Sequence, residues 1–171
     1  MKKIYYLVLF ATLLSVAANA QTNWVTQKLD EKVSVKFPVQ PQKVTKNDID
    51  SYTVKGPDSI GYNAVMIDFK TVAKLDSVAL APMKDSQRFA DGLKAGMASK
   101  KPNYTFGDAV IGKWKTYTTY TIPGTENTNK NQLLTRMILI GSKLYTLTCV
   151  VPANTITKNN DLFLSSAELL K

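Results

Sequence analysis

The chain has one cysteine, Cys149, and no histidine, and these two counts bound what its side chains can do chemically. Without His, the commonest general base near neutral pH and the commonest transition-metal ligand are missing. Ser-His-Asp and Cys-His catalysis are excluded by composition, and a zinc site would need to be built almost wholly from carboxylates. Cys149 lies in Lys143-Leu144-Tyr145-Thr146-Leu147-Thr148-Cys149-Val150-Val151. Period-two alternation puts it on one face with Tyr145, Leu147 and Val151. That face is apolar, which predicts a buried, inert thiol, and a lone Cys forms no internal disulfide.

Paired carboxylates, the arrangement used by glycosidases, are formally available. The candidates are Asp48 with Asp50, Asp85 with Asp91, and Asp68. Asp48 and Asp50 sit in a Lys-rich turn and read as a solvated loop, Asp85 reads as a helix cap, and none has the apolar setting that raises a carboxyl pKa. No EF-hand spacing, GxxxxGK[ST] or GxGxxG occurs. Asn159-Asn160-Asp161 offers oxygens, but these residue types suit the opening of a helix. The expectation is a protein without catalytic residues, metal or cofactor.

Cations exceed anions, 22 Lys and Arg against 13 Asp and Glu, for a net charge of +9. Arg88 and Arg136 are the only arginines. Arg is the residue of bidentate phosphate and base-edge recognition, so a scattered Lys surplus points to solubility or diffuse attraction to anionic surfaces. Lys113, Lys115, Tyr117 and Tyr120 mix cations with aromatics, as a single-strand binder would. Period-two geometry sends the two tyrosines to opposite faces, and no nucleic-acid partner is expected.

The elements that position these residues begin after an export signal. Lys2 and Lys3, the mostly apolar run Ile4 to Ala17 and the small-x-small exit Ala18-Asn19-Ala20 read as a secretory signal peptide over 1–20, with an uncleaved anchor as the alternative. Cleavage would leave a single α+β domain over 21–171, periplasmic or secreted, with no second apolar run to span a membrane. Removing Lys2 and Lys3 from the +9 total leaves +7.

Strands are expected at Trp24–Leu29, Val33–Phe37 (Val33, Val35 and Phe37 inward, Ser34 and Lys36 outward), Ser51–Lys55 and Tyr62–Thr71, with turn chemistry at Gly56-Pro57-Asp58. Pro38 and Pro41 interrupt the run. Leu75–Met83 is loop or a short helix. Asp85 or Ser86 caps a helix to about Lys100, with Phe89, Leu93 and Met97 on one stripe. Gly92 and Gly96 weaken that helix, or let it approach the sheet closely. Tyr104–Ile111 and Lys113–Ile122 flank Gly112 as a candidate hairpin turn, and Pro123–Lys130 reads as a mobile loop. Leu133–Ile140 and Lys143–Val151 flank the two-residue turn Gly141-Ser142. A helix over Lys158–Ser166 places Leu162 and Phe163 on the core, and Ala167–Leu170 can close as a short strand. The order β-β-β-β-α-β-β-β-β-α describes an antiparallel sheet of seven or eight strands covered by two main helices.

Val35-Lys36-Phe37-Pro38 followed by Pro41 resembles the opening of small exported domains in the PsbP/Mog1-like group. Tyr145 after a Gly hairpin, and the closing Leu162-Phe163-Leu164-Ser165-Ser166 helix, are similar too. The resemblance implies an antiparallel sheet flanked by helices. It also implies a non-enzymatic binding or assembly role, with no particular partner. Tyr62, Met66, Tyr117 and Thr119 share a sheet face opposite Val65, Ile67 and Trp114. They form an exposed partner or ligand surface if helices cover only one face, or are simply buried in a two-sided sandwich. The function expected is an exported module engaging another envelope protein or a peptide. The alternative is a carrier of a small apolar molecule or lipid in a pocket between sheet and helix, and an enzyme comes third. A deep pocket would favour the carrier, and an apolar surface patch the protein partner.

Overall fold

Residues 24–171 are described by the structure, a computed structural model, and the export segment predicted over 1–20 lies outside them. Along the chain run β1 (Val25–Lys28), β2 (Val33–Phe37), β3 (Gln42–Lys46), β4 (Ile49–Lys55), β5 (Gly61–Asp68), α1 (Phe69–Ala73), α2 (Ser77–Leu80) and α3 (Gln87–Lys100). They are followed by β6 (Tyr104–Phe106), β7 (Val110–Trp114), β8 (Tyr117–Glu126), β9 (Gln132–Ile140), β10 (Lys143–Val151), α4 (Asn159–Ser165) and β11 (Glu168–Leu169). The class is α+β. An eight-stranded sheet has the order β3-β4-β5-β10-β9-β8, and β6 and β7 share the outer edge of β8. All its pairs are antiparallel.

A second, three-stranded sheet β1-β2-β11 takes the first two strands away from the main one. Ser34, expected outward, is buried at 1 % exposure, because β2 is the middle strand and pairs with β1 and β11 on its two edges. This small sheet and α4 pack on one face of the main sheet. Val33, Val35 and Phe37 join Phe163 there against Tyr62, Ala64, Tyr145, Leu147 and Cys149. The opposite face packs Leu80 and Ala90, with Phe89, Leu93 and Met97, on Tyr120, Ile122, Met137 and Leu144. Period-two alternation along β5 and β10 therefore feeds two cores.

Several local expectations change. Gly112 lies inside β7 rather than at a turn. A Cβ there would sit 3.1 Å from Thr119 Oγ1, so the cross-strand neighbour explains the glycine, and the β7–β8 turn falls at Lys115-Thr116, with Lys115 at φ 54°. β8 runs through Pro123 to Glu126, so half of the segment read as a mobile loop is strand, closed by Lys130 N–H donating to Glu126 O at 3.1 Å. Gly141 adopts φ 63° in the β9–β10 turn, as that hairpin requires. β3 was not anticipated. All five of its residues are exposed, so it carries no apolar alternation, and Asn47 and Asp48 turn it back on β4 with φ of 51° and 58°. β5 ends at Asp68, whose carboxylate accepts from Lys70 N–H at 2.9 Å and caps α1. The ambiguous 75–83 stretch contains α2.

Candidate functional site

Helix α3 is anchored by its first turns and borders an opening further along. Ser86, not Asp85, caps it, with Oγ accepting from Phe89 N–H at 3.3 Å. Asp85 instead accepts from Lys113 Nζ and Thr118 Oγ1, both at 2.7 Å. The Phe89 ring lies 5.7 Å from Tyr120 and 6.1 Å from Phe69, and the Tyr120 hydroxyl donates to Lys84 O at 2.6 Å. These contacts hold the first turns on β8. Beyond them Leu93 and Met97 continue the packing on the core that holds Met137 and Leu144, and an opening remains toward Val65 and Ile67 of β5. A Cβ at Gly92 or Gly96 would meet nothing within 4 Å. The two glycines thus leave space, in place of the close approach considered from sequence.

That space is a half-open apolar groove of about 450 Å³ between α3 and the sheet. Val65 and Ile67 of β5, Leu144 of β10, Met137 of β9 and Leu93 and Met97 of α3 line it. Asn63, Thr146 and Thr148 add polar atoms, and Lys100 and Lys101 close the end at the helix C-terminus. A second recess of about 660 Å³ shares Phe69, Gly92 and Leu93 with the first and continues past Met83 to Arg88. No Asp or Glu lines either cavity. Lys100, Lys101 and Arg88 have no carboxylate partner, as holds for most lysines among the described residues; Lys36, Lys43, Lys94 and Lys113 each pair with one carboxylate and Lys143 with two. The Lys101 ammonium lies 5.4 Å from the centre of the Tyr104 ring. The volume and the apolar walls with few polar groups are those of small-ligand sites, which span about 300–1,000 Å³. No Cys, Ser, Asp or Glu lines the groove.

The four residues singled out from sequence lie on the other face, and that face is covered. Tyr62 is fully buried and Thr119 is 4 % exposed, while Met66 and Tyr117 are half-buried. Tyr62, Met66 and Tyr117 all join the core under the small sheet and α4. Trp114, expected opposite, packs on the same core, its ring 6.1 Å from that of Tyr117. Val65 and Ile67, set aside as the core side, are the groove wall. The groove had a signal in the sequence: Gly92 and Gly96 are one helical turn apart on a stripe that also carries Leu93 and Met97.

The carboxylates serve as ties. Asp58 Oδ2 accepts from the Tyr62 hydroxyl at 2.6 Å and from Asn159 Nδ2 at 2.8 Å, joining the β4–β5 turn to α4. Asn159 therefore binds across the fold, and α4 begins without a side-chain cap. Asp30 Oδ2 accepts from the Tyr145 hydroxyl at 2.7 Å and Lys143 Nζ at 2.8 Å, and Lys143 also reaches Glu31. Burial pushes the Asp30 and Asp58 carboxyls up, but these hydrogen bonds outweigh it and hold both below their ordinary value. The Lys113 and Thr118 bonds hold Asp85 low, and Lys43, 2.6 Å from Asp50, does the same there. Asp68 is lowered first by the Ser142 hydroxyl at 2.7 Å. Asp91 accepts from Gln87 Nε2 at 3.0 Å on the exposed side of α3. Burial pushes the Cys149 thiol up to about 12. Phe163 is buried but Leu162 is 54 % exposed, so α4 presents one of its two expected core residues.

This architecture matches the solution structure of cyanobacterial PsbP (CyanoP) from Synechocystis sp. PCC 6803, with a TM-score of 0.58 over 89 % of this chain and 95 % of that one, at 10 % identity. The fold is PsbP-like. A crystal structure from Bacteroides thetaiotaomicron is also similar, with a TM-score of 0.48, 14 % identity, and coverage of 84 % of this chain and 50 % of that one. In sequence, no family model matches the chain and no curated protein matches it. Among the described residues of this PsbP-like domain, no helix is long and apolar enough to cross a membrane.

Proposed function

We propose that this PsbP-like chain is an exported, non-enzymatic binding domain that holds the apolar part of a guest in the groove between α3 and the sheet. The observation that carries the reading is the groove itself. It is about 450 Å³ of space walled by apolar side chains, beside two helical glycines whose missing side chains nothing replaces. Interior Gly costs a helix about 0.5–1 kcal/mol relative to Ala, so two such positions without a packing reason argue for the space they leave. Export rests on the signal-peptide pattern at 1–20, which makes the site periplasmic or secreted.

Of the two binding readings drawn from the sequence, the groove favours the carrier over the protein or peptide partner. The most exposed large apolar side chains, Val72, Val78, Val110, Ile156 and Leu162, belong to α1, α2, β7, a loop and α4, and so supply no one docking element. The test is capture from envelope extract on immobilised residues 21–171, wild type beside Gly96→Leu, with lipids and proteins analysed from both. A guest retained by the wild type and lost with the filled groove is the expected result. Identical recoveries from the two baits would overturn the proposal.

A further inference from the structure

We infer that the guest is a single-chain anionic amphiphile, a long-chain carboxylate, lying with its alkyl chain along α3 and its carboxylate at Lys100 and Lys101. This rests on the groove reading above and names what the groove would hold. The first support is charge. Of the fourteen residues lining the groove none is acidic, and the two ionic ones, Lys100 and Lys101, are adjacent at one end. On the same helix Lys94 is neutralised by Asp108 at 3.5 Å, whereas among the described residues no carboxylate lies within ion-pair distance of Lys100 or Lys101 at the groove end. Two unmatched ammonium groups beside an acid-free apolar wall complement one negative head joined to an apolar tail. A Lys in the last turn also complements the helix dipole, but that role needs neither the second Lys nor the apolar trough beside it.

The second support is shape. The two recesses meet at Phe69, Gly92 and Leu93, which makes one trough running along the helix. At about 1.5 Å per residue, Arg88 and Lys100 are about 18 Å apart along the axis, a length suited to an extended chain rather than a compact ring. Gly92 and Gly96 add no side chain to the helix side of the trough, which Leu93 and Met97 line. Arg88 stands at one end of this trough and the Lys100-Lys101 pair at the other, and the head is assigned to the end with two adjacent ammonium groups.

The test titrates residues 21–171 with laurate and with dodecanol, the uncharged alcohol of the same chain length, by calorimetry. Laurate should bind, with dodecanol about tenfold weaker, the loss set by one charge-assisted contact. The double variant K100E/K101E, changed only at exposed positions, should weaken laurate by about tenfold or more and leave dodecanol unchanged. Gly96→Leu should abolish both without lowering the melting temperature, and Gly92→Leu serves in its place if the first variant fails to fold. If laurate and dodecanol bind equally and K100E/K101E changes neither, the anionic guest is refuted while the groove reading stands. If only a peptide segment binds in a Gly96→Leu-sensitive way, the amphiphile is likewise refuted. If neither laurate nor dodecanol binds, and the envelope capture is the same for wild type and Gly96→Leu, both readings fall.

Discussion

The two faces of the eight-stranded sheet use the same alternation to opposite ends. On the face toward the small sheet and α4, side chains interlock: the Phe163 ring lies 5.0 Å from Phe37 and 5.1 Å from Tyr62. Two partly buried carboxylate ties, at Asp30 and Asp58, pin the covering layer to the sheet. On the face toward α3, one end is closed by Phe89 and Tyr120, and the other is left open over Val65 and Ile67. A close-packed face resists change because every lost methylene is felt. An open face gives up that stability and gains room for a guest. On the reading proposed above, the stability of this domain and its room for a guest lie on opposite sides of one sheet.

Four measurements would break or sharpen this contrast. The largest effect is expected from Phe163→Ala, which removes the ring at the centre of the closed face. It should cost about 3–5 kcal/mol in urea unfolding, and a loss under about 1 kcal/mol would mean that face is not closed. Next is a matched pair on neighbouring strands. Leu147→Ala, fully buried on the closed face, should cost about 2–5 kcal/mol, whereas Val65→Ala, half-buried on the groove, should cost less than about 1 kcal/mol. Equal costs would erase the distinction between the faces.

The third probes the carboxylate ties. Asp58→Ala leaves the Tyr62 hydroxyl and the Asn159 amide without their acceptor and should cost about 1.5–3 kcal/mol near neutral pH. The sign with pH follows from the direction of the shifts. Asp30 and Asp58 have folded-state values below their unfolded ones. Their contribution is therefore complete above the unfolded carboxylate value of about 3.9 and is lost as pH falls through the lower folded values. Stability measured against pH should decline over that acid range in the wild type and decline less in a D30N/D58N variant. The same slope in both would remove these ties from the account. The smallest effect is a gain. Gly96→Ala meets open space and should raise stability by about 0.5–1 kcal/mol, and a loss would show that α3 packs more closely than the groove requires.

Much of the fold was legible because its elements announce themselves locally. Val33-Ser34-Val35-Lys36-Phe37, the Gly141-Ser142 hairpin, the Ser86-capped α3 and the short closing strand all appear where period and turn chemistry predicted them. The exposed edge strand β3 did not, since none of its residues is buried and periodicity reports burial. The break between β6 and β7 at 107–109 was missed for a related reason: both halves read as one strand, and only pairing on β8 divides them. The candidate surface at Tyr62, Met66, Tyr117 and Thr119 was assembled correctly as a face, apart from Trp114, but the layer covering that face comes from strands distant in the chain.

By itself the sequence determined the chemistry this protein lacks and the faces its strands present, because composition and a two-residue period are local properties. It excluded His-dependent catalysis, placed Cys149 on an apolar face and set Gly92 and Gly96 one turn apart. Which face is closed and which is open was decided only by tertiary structure. β1, β2, β11 and α4 pack over one side, while α3 packs on the other through Phe89, Leu93 and Met97 and leaves an opening over Val65 and Ile67. Alternation says that a side chain points to one of two sides. What lies on each side depends on contacts between residues more than a hundred positions apart, such as Asp58 with Asn159 and Asp30 with Tyr145.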